Sequence, residues 1–242
     1  MLKATGGNSK LRKTSKKVKA HLQEHGSLAG FIPRKGAYRV FSFNIPAGGY
    51  ELDGKKYITC PGAGACRKIC YAGQGTFLFK GSVKLRIDNH QTLLALHKKG
   101  GHKAVVEALQ AVVDRLPKTV AVLRLHDSGD FFKLWYLTAW LEVARNNPGI
   151  LFYCYTKSIP FFVGLGKEKP FNFRLTQSNG GIFDHLIQGA NSKIFETEEE
   201  RIQAGYVDGN DSDMPSILNE ENIGLVYHGV KNPSKEDFDA LR

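Results

Sequence analysis

Thr119-Val120-Ala121-Val122-Leu123-Arg124-Leu125, then His126-Asp127-Ser128-Gly129-Asp130, then Phe131-Phe132-Lys133-Leu134-Trp135-Tyr136-Leu137, is the stretch that decides the fold. The first seven residues read as a strand, a polar turn follows, and an aromatic helix runs over 131–146 until Asn147-Pro148-Gly149 stops it. The pattern then repeats. Strands are expected over 150–156, 171–176, 192–195 and 222–227. Helices are expected over 159–165, 198–204 and 234–241, the last with Ser234 as N-cap. Strand–helix alternation means parallel strands with helical crossovers. The expectation is an α/β chain, built as a partial (β/α) barrel or an open sheet. The Asp- and Gly-rich run from Val207 to Ser216 reads as a surface excursion.

Upstream, Gly100-Gly101 separates two helical patterns, over 81–99 and 103–116, the second closed by Pro117. Residues 38–44 alternate and read as a strand. Residues 50–59 read as a hairpin with Asp53-Gly54 as its turn. The net charge of +11 is uneven, because residues 1–35 hold nine Lys or Arg against Glu24 alone. This segment is expected to be a basic, flexible N-terminal arm, in which 10–23 could form a short basic helix, with 36–242 as a single domain. Such an arm can bind nucleic acid through phosphate neutralisation, or be solvated and bind nothing specific. No apolar run approaches the ~18 residues that span a bilayer. With no secretion signal in view, the expected compartment is the cytoplasm.

The hairpin leads into Cys60-Pro61-Gly62-Ala63-Gly64-Ala65-Cys66-Arg67-Lys68-Ile69-Cys70-Tyr71-Ala72, which holds three of the four cysteines. The spacing is C-x5-C-x3-C in a glycine-rich loop. Structural zinc sites usually offer two ligand pairs. Three thiolates from one loop instead suit three corners of a [4Fe-4S] cluster, whose fourth iron takes a distant residue, solvent or substrate. Zinc, completed by a histidine or Cys154, and three unliganded thiols are the alternatives. The glycines are expected to leave room for the metal and to free backbone N–H groups for it.

This loop, together with Ser42-Phe43-Asn44-Ile45-Pro46, Arg124-Leu125-His126-Asp127-Ser128-Gly129-Asp130-Phe131-Phe132 and Phe152-Tyr153-Cys154-Tyr155-Thr156-Lys157-Ser158, resembles the phage gene product 88 domain family. The resemblance runs from about residue 38 to 227. It implies a bacteriophage or prophage protein with a cysteine-bound cluster, and no particular reaction; in a phage setting the expected cytoplasm is that of the host cell. The loop is also distantly similar to that of radical S-adenosylmethionine enzymes, which mostly use C-x3-C-x2-C. Here both gaps are longer, and no Gly-Gly-Glu follows a second strand; Gly100-Gly101-His102 lies between helices.

Function in parallel α/β folds gathers beyond the C-terminal ends of the strands. His126 and Asp130 lie there, His126 as a cluster ligand, proton donor or structural group, Asp130 as a site residue or helix cap. Lys157 ends the next strand and could draw an anionic ligand or offset a cluster's charge. Arg124 and Arg174 sit inside apolar strands and need anionic partners, either a ligand or an acid such as Asp88. Cys154 reads chiefly as a small core hydrophobe, and Trp135 and Trp140 as packing residues rather than a base-stacking platform. Three functions stay open. The first is a cluster protein with redox or substrate-activating chemistry on a small molecule or redox partner. The second is a radical S-adenosylmethionine-like enzyme that binds that cofactor. The third is a nucleic-acid-binding protein with a structural zinc.

Overall fold

The computed structural model describes residues 1–165, 169–228 and 233–239. Ten strands and seven helices are described: β1 Ala4–Thr5, α1 Ser9–His25, β2 Arg39–Phe43, β3 Gly49–Leu52, β4 Lys55–Ile58, α2 Lys80–Asp114, β5 Val120–Leu125, α3 Leu134–Asn146, β6 Leu151–Thr156, α4 Ile159–Val163, β7 Phe173–Ser178, β8 Asn191–Phe195, α5 Glu198–Gln203, β9 Val207–Asp208, α6 Met214–Ile217, β10 Asn222–Val226 and α7 Lys235–Asp239. Leu241, in the expected last helix, lies outside the described residues.

Eight strands form one sheet in the order β1-β2-β5-β6-β7-β8-β10-β9. From β2 to β9 every neighbouring pair is parallel, and only β1 runs antiparallel to β2. From β2 to β8 the chain adds each strand beside the last, as a barrel would, but the sheet stays open. The hairpin β3–β4 is a separate antiparallel ladder, and Asp53 (φ 49°) and Gly54 (φ 71°) make its turn as the sequence predicts.

Both faces of the sheet are covered. On one, α2 and α3 pack Leu93, Leu109, Leu137 and Trp140 against Phe43, Leu123, Leu125 and Phe152. The predicted break in α2 is real, because Gly101 takes φ 62° and interrupts the helix. On the other face lie Val40, Val122, Leu151 and Tyr153, covered by α1 and α6.

That second face corrects two expectations. Residues 1–35 are not a free arm. Asn8 caps α1 by accepting the Leu11 N–H at 2.7 Å, and Gly26 closes it with φ 72°. Leu11, Thr14 and Val18 are fully buried against the sheet, while the lysines take the outer side. Nor is 207–216 a surface excursion, since it supplies β9, the start of α6 and the fully buried Asp213. A run of charges hides these packing stripes, because only three or four apolar positions are needed to dock a short helix.

A candidate metal centre at the sheet rim

The cysteine loop is pinned across the C-terminal ends of β5, β6 and β7. At its start, the Asp130 N–H donates to the Thr59 carbonyl at 3.2 Å. Further on, the Ile182 N–H donates to the Gly62 carbonyl at 3.0 Å, and the Cys66 N–H to the Gly180 carbonyl at 3.1 Å. Ala63 and Gly181 form an antiparallel bridge. These contacts explain the glycines differently from the sequence expectation. A β-carbon at Gly62 would strike the Lys157 carbonyl, and one at Gly64 would lie 3.0 Å from the Gly181 carbonyl carbon. The glycines let backbone pack on backbone.

Cys60, Cys66 and Cys70 are all partly exposed. Burial pushes the Cys60 thiol up to about 12, with the Asp130 carboxylate and the other two cysteines adding to it and the Gly48 N–H opposing it. That N–H donates to Cys60 Sγ at 3.1 Å. Burial also raises Cys66, against the pull of the Lys157 ammonium. Cys60 is therefore a neutral thiol at pH 7 unless a cation replaces its proton. The donor set suits such a cation, with three thiols from one loop and an N–H already aimed at a sulfur. Among the described residues no three His, Cys, Asp or Glu are placed so that they could hold a metal ion.

The strand-end residues divide by face. Asp130 does not cap α3, whose N-cap is Lys133. Its carboxylate accepts from the Phe131 N–H at 2.7 Å, the Thr156 hydroxyl at 2.5 Å and the Lys157 N–H at 2.8 Å. It ties β5 to β6 directly beneath the loop. Gly129 beside it has φ 90°, and a β-carbon there would run into Ile45. Lys157 is half-buried, and its Nζ donates to Ser178 Oγ at 2.5 Å. His126 turns away from the cysteines. With φ 69° it sits under α3, its Nε2 2.8 Å from the Tyr136 hydroxyl. Burial, with Arg124 adding to it, drops it to about 3, so the ring is neutral.

Arg124 has a protein partner, but not Asp88, which pairs with Lys84. Arg124 Nη1 meets Asp213 Oδ2 at 2.7 Å, both groups buried. Asp213 also accepts from the Tyr153 hydroxyl at 2.8 Å and pairs with Lys10 at 3.0 Å. Burial raises its proton affinity, but Arg124 and Lys10 outweigh that and hold it at about 2. Arg174 is far from this centre chemically; it donates to the Phe171 and Ala29 carbonyls. Cys154 is fully buried on the α2–α3 face, among the core residues there. Trp140 is fully buried, and Trp135 stacks on His97 with centroids 4.1 Å apart.

Tyr71 was not singled out in the sequence, although it directly follows Cys70. The residue is 43% exposed. Its hydroxyl donates to the Asp127 carbonyl at 2.5 Å and lies 3.4 Å from Arg124 Nη2. Tyr71 thus links the cysteine loop to the buried Arg124–Asp213 pair. Ser178 belongs to the strand end that the sequence offers after Arg174, and the parallel register sets that strand, β7, beside β6.

The profile of the family described as Gene product 88 matches residues 2–237, so the chain belongs to that family. The Gene 88 protein of Mycobacterium phage L5 is 31% identical over 103 residues, which cover 41% of this chain and 43% of that protein. The Gene 88 protein of Mycobacterium phage D29 is 30% identical over 121 residues, 49% of this chain and 50% of that one. The matched part thus spans about half or less of each of these bacteriophage relatives. No solved structure matches the chain. No helix among the described residues is long and apolar enough to cross a membrane.

Proposed function

We propose that this member of the gene product 88 family binds a [4Fe-4S] cluster through Cys60, Cys66 and Cys70 and works at the iron they leave without a thiolate. The observation that carries this reading is the pinned loop. Three cysteines eleven positions from first to last are held over the ends of parallel strands, close enough that the other two raise the proton affinity of Cys60. When bound, the cluster supplies an electron carrier or a Lewis-acidic iron. The protein's own part is to fix the loop through Gly62, Asp130 and Gly180, and to set the Lys157 ammonium beside Cys66. His126, turned to Tyr136, is not the fourth ligand in this reading, and Cys154 is core.

Nucleic-acid binding through residues 1–35 draws less support. Lys13 and Lys17 pair with Asp211, and Lys10 with Asp213, so part of the basic charge is answered within the fold.

Single Cys60→Ala, Cys66→Ala and Cys70→Ala variants, purified anaerobically, are expected to lose iron and acid-labile sulfide together. Cys154→Ala is expected to keep both, with any loss confined to stability. Iron and sulfide retained in all three loop variants would refute the ligand assignment. Adding S-adenosylmethionine to the reduced wild type then asks whether that molecule reaches the open iron, read as a change in the paramagnetic signal.

A further inference from the structure

Lys157 is a half-buried ammonium whose nearby carboxylates are already engaged. Asp130 spends its two oxygens on Phe131 N–H, the Thr156 hydroxyl and the backbone N–H of Lys157 itself. Asp184, which borders the Gly181 turn, spends Oδ2 on the Gly180 N–H at 2.7 Å and Oδ1 on the Gly181 N–H at 2.9 Å. What the Lys157 Nζ does contact is the neutral hydroxyl of Ser178, at 2.5 Å. Lys157 directly follows β6 and Ser178 is the last residue of the adjacent parallel strand β7, and both are partly open to solvent. They lie on the same rim as Cys66, whose thiol feels the ammonium.

Among the described residues Lys157 makes no ion pair, though it lies within the field of Asp130, and one hydroxyl satisfies a half-buried cation poorly. An ammonium and a hydroxyl side by side, by contrast, make two donors for one oxyanion, since the Ser178 O–H is free to turn outward when Nζ occupies its lone pair. We propose that Lys157 and Ser178 form an oxyanion-binding site, which holds the carboxylate or phosphate group of a small molecule beside the cysteine loop. This names the charged group of the ligand expected at the rim. It rests on reading the rim as the working site, and not on the identity of the metal.

The test is calorimetric titration of the full chain with inorganic phosphate and, separately, with acetate, at fixed ionic strength. Iron is counted in every sample. Lys157→Met and Ser178→Ala are compared with Lys80→Met, which removes an exposed lysine at the start of α2 and serves as the charge control. The expected result is saturable binding of at least one anion to the wild type and to Lys80→Met. Lys157→Met is expected to weaken it about tenfold or more and Ser178→Ala by a smaller factor, since a charged hydrogen bond contributes more than a neutral one. Thermal melts show whether each variant folds. Binding equally weakened by Lys80→Met, unchanged in folded Lys157→Met, or absent from the wild type would overturn the proposal. Iron present with no anion site leaves the cluster reading standing, whereas an anion site in a chain that binds no iron removes the cluster and keeps the site.

Discussion

Arg124 and Asp213 form a buried ion pair that Lys10, Tyr71 and Tyr153 also reach. Removing one partner strands a charge in the interior, so Asp213→Ala is expected to cost about 3–5 kcal/mol in urea unfolding. A loss no larger than that of a surface substitution would contradict the pairing. The buried imidazoles make a second residue-scale prediction. Burial drops His90 to about 4, and burial with Arg124 drops His126 to about 3, from an ordinary 6.5. The unfolded chain therefore takes up protons below pH 6.5 that the folded one refuses. Stability is full above pH 6.5 and falls as the pH drops toward those folded values, by up to about 1.4 kcal/mol per pH unit for each ring. Unfolding at pH 7.5 and pH 5 checks this, and His90→Gln is expected to flatten the slope by one ring's share. An unaltered slope in that variant would show that His90 titrates normally. At this scale the sequence was only partly legible. His126 and Lys157 occupy equivalent strand-end places, yet one turns into the α3 packing and the other toward the cysteines. A left-handed φ at a histidine leaves no mark in the residue order. The partner of Arg124 lies 89 residues away, in a run whose acidic surface character concealed it.

Among the elements, the cysteine loop depends on close backbone approach. Gly62→Ala places a β-carbon against the Lys157 carbonyl, so the loop must lift from β6. The expected outcome is a folded protein with much reduced iron and sulfide; full metal content would show that the loop relaxes without harm. Helix α1 makes the opposite prediction to a dispensable arm. Deleting residues 1–25 uncovers Val40, Val122 and Tyr153 and removes Lys10 from Asp213. The truncated chain is expected to aggregate or to lose its cooperative melt, and an unchanged melt would return α1 to the status of a tail. The strands were readable because buried parallel strands are written as apolar runs, and the α2 break because Gly-Gly is a strong punctuator. A short basic helix over 10–23 was readable too, but not its docking on the sheet, since Leu11, Thr14, Val18 and Leu22 form a sparse stripe under many lysines.

Across the whole molecule, the chain lays strands β2, β5, β6, β7 and β8 side by side in sequence order, and their C-terminal ends share one rim. The alternation of strands and helices foretold parallel pairing. It left closure undecided, because a barrel and an open sheet have the same local pattern and differ only in whether the edges meet. The open sheet lets α1 and α6 fill the face that a barrel would enclose. The cysteine loop is thereby confined to the rim, where it, Lys157 and the Gly180-Gly181 turn converge. The most direct test of the proposed metal centre is the iron, sulfide and zinc content of the wild-type chain after anaerobic purification, with paramagnetic resonance before and after dithionite. About four irons and four sulfides per chain, with a signal from the reduced cluster, is the result expected of a cubane. One zinc per chain with no sulfide would contradict it and leave the three cysteines with a structural metal.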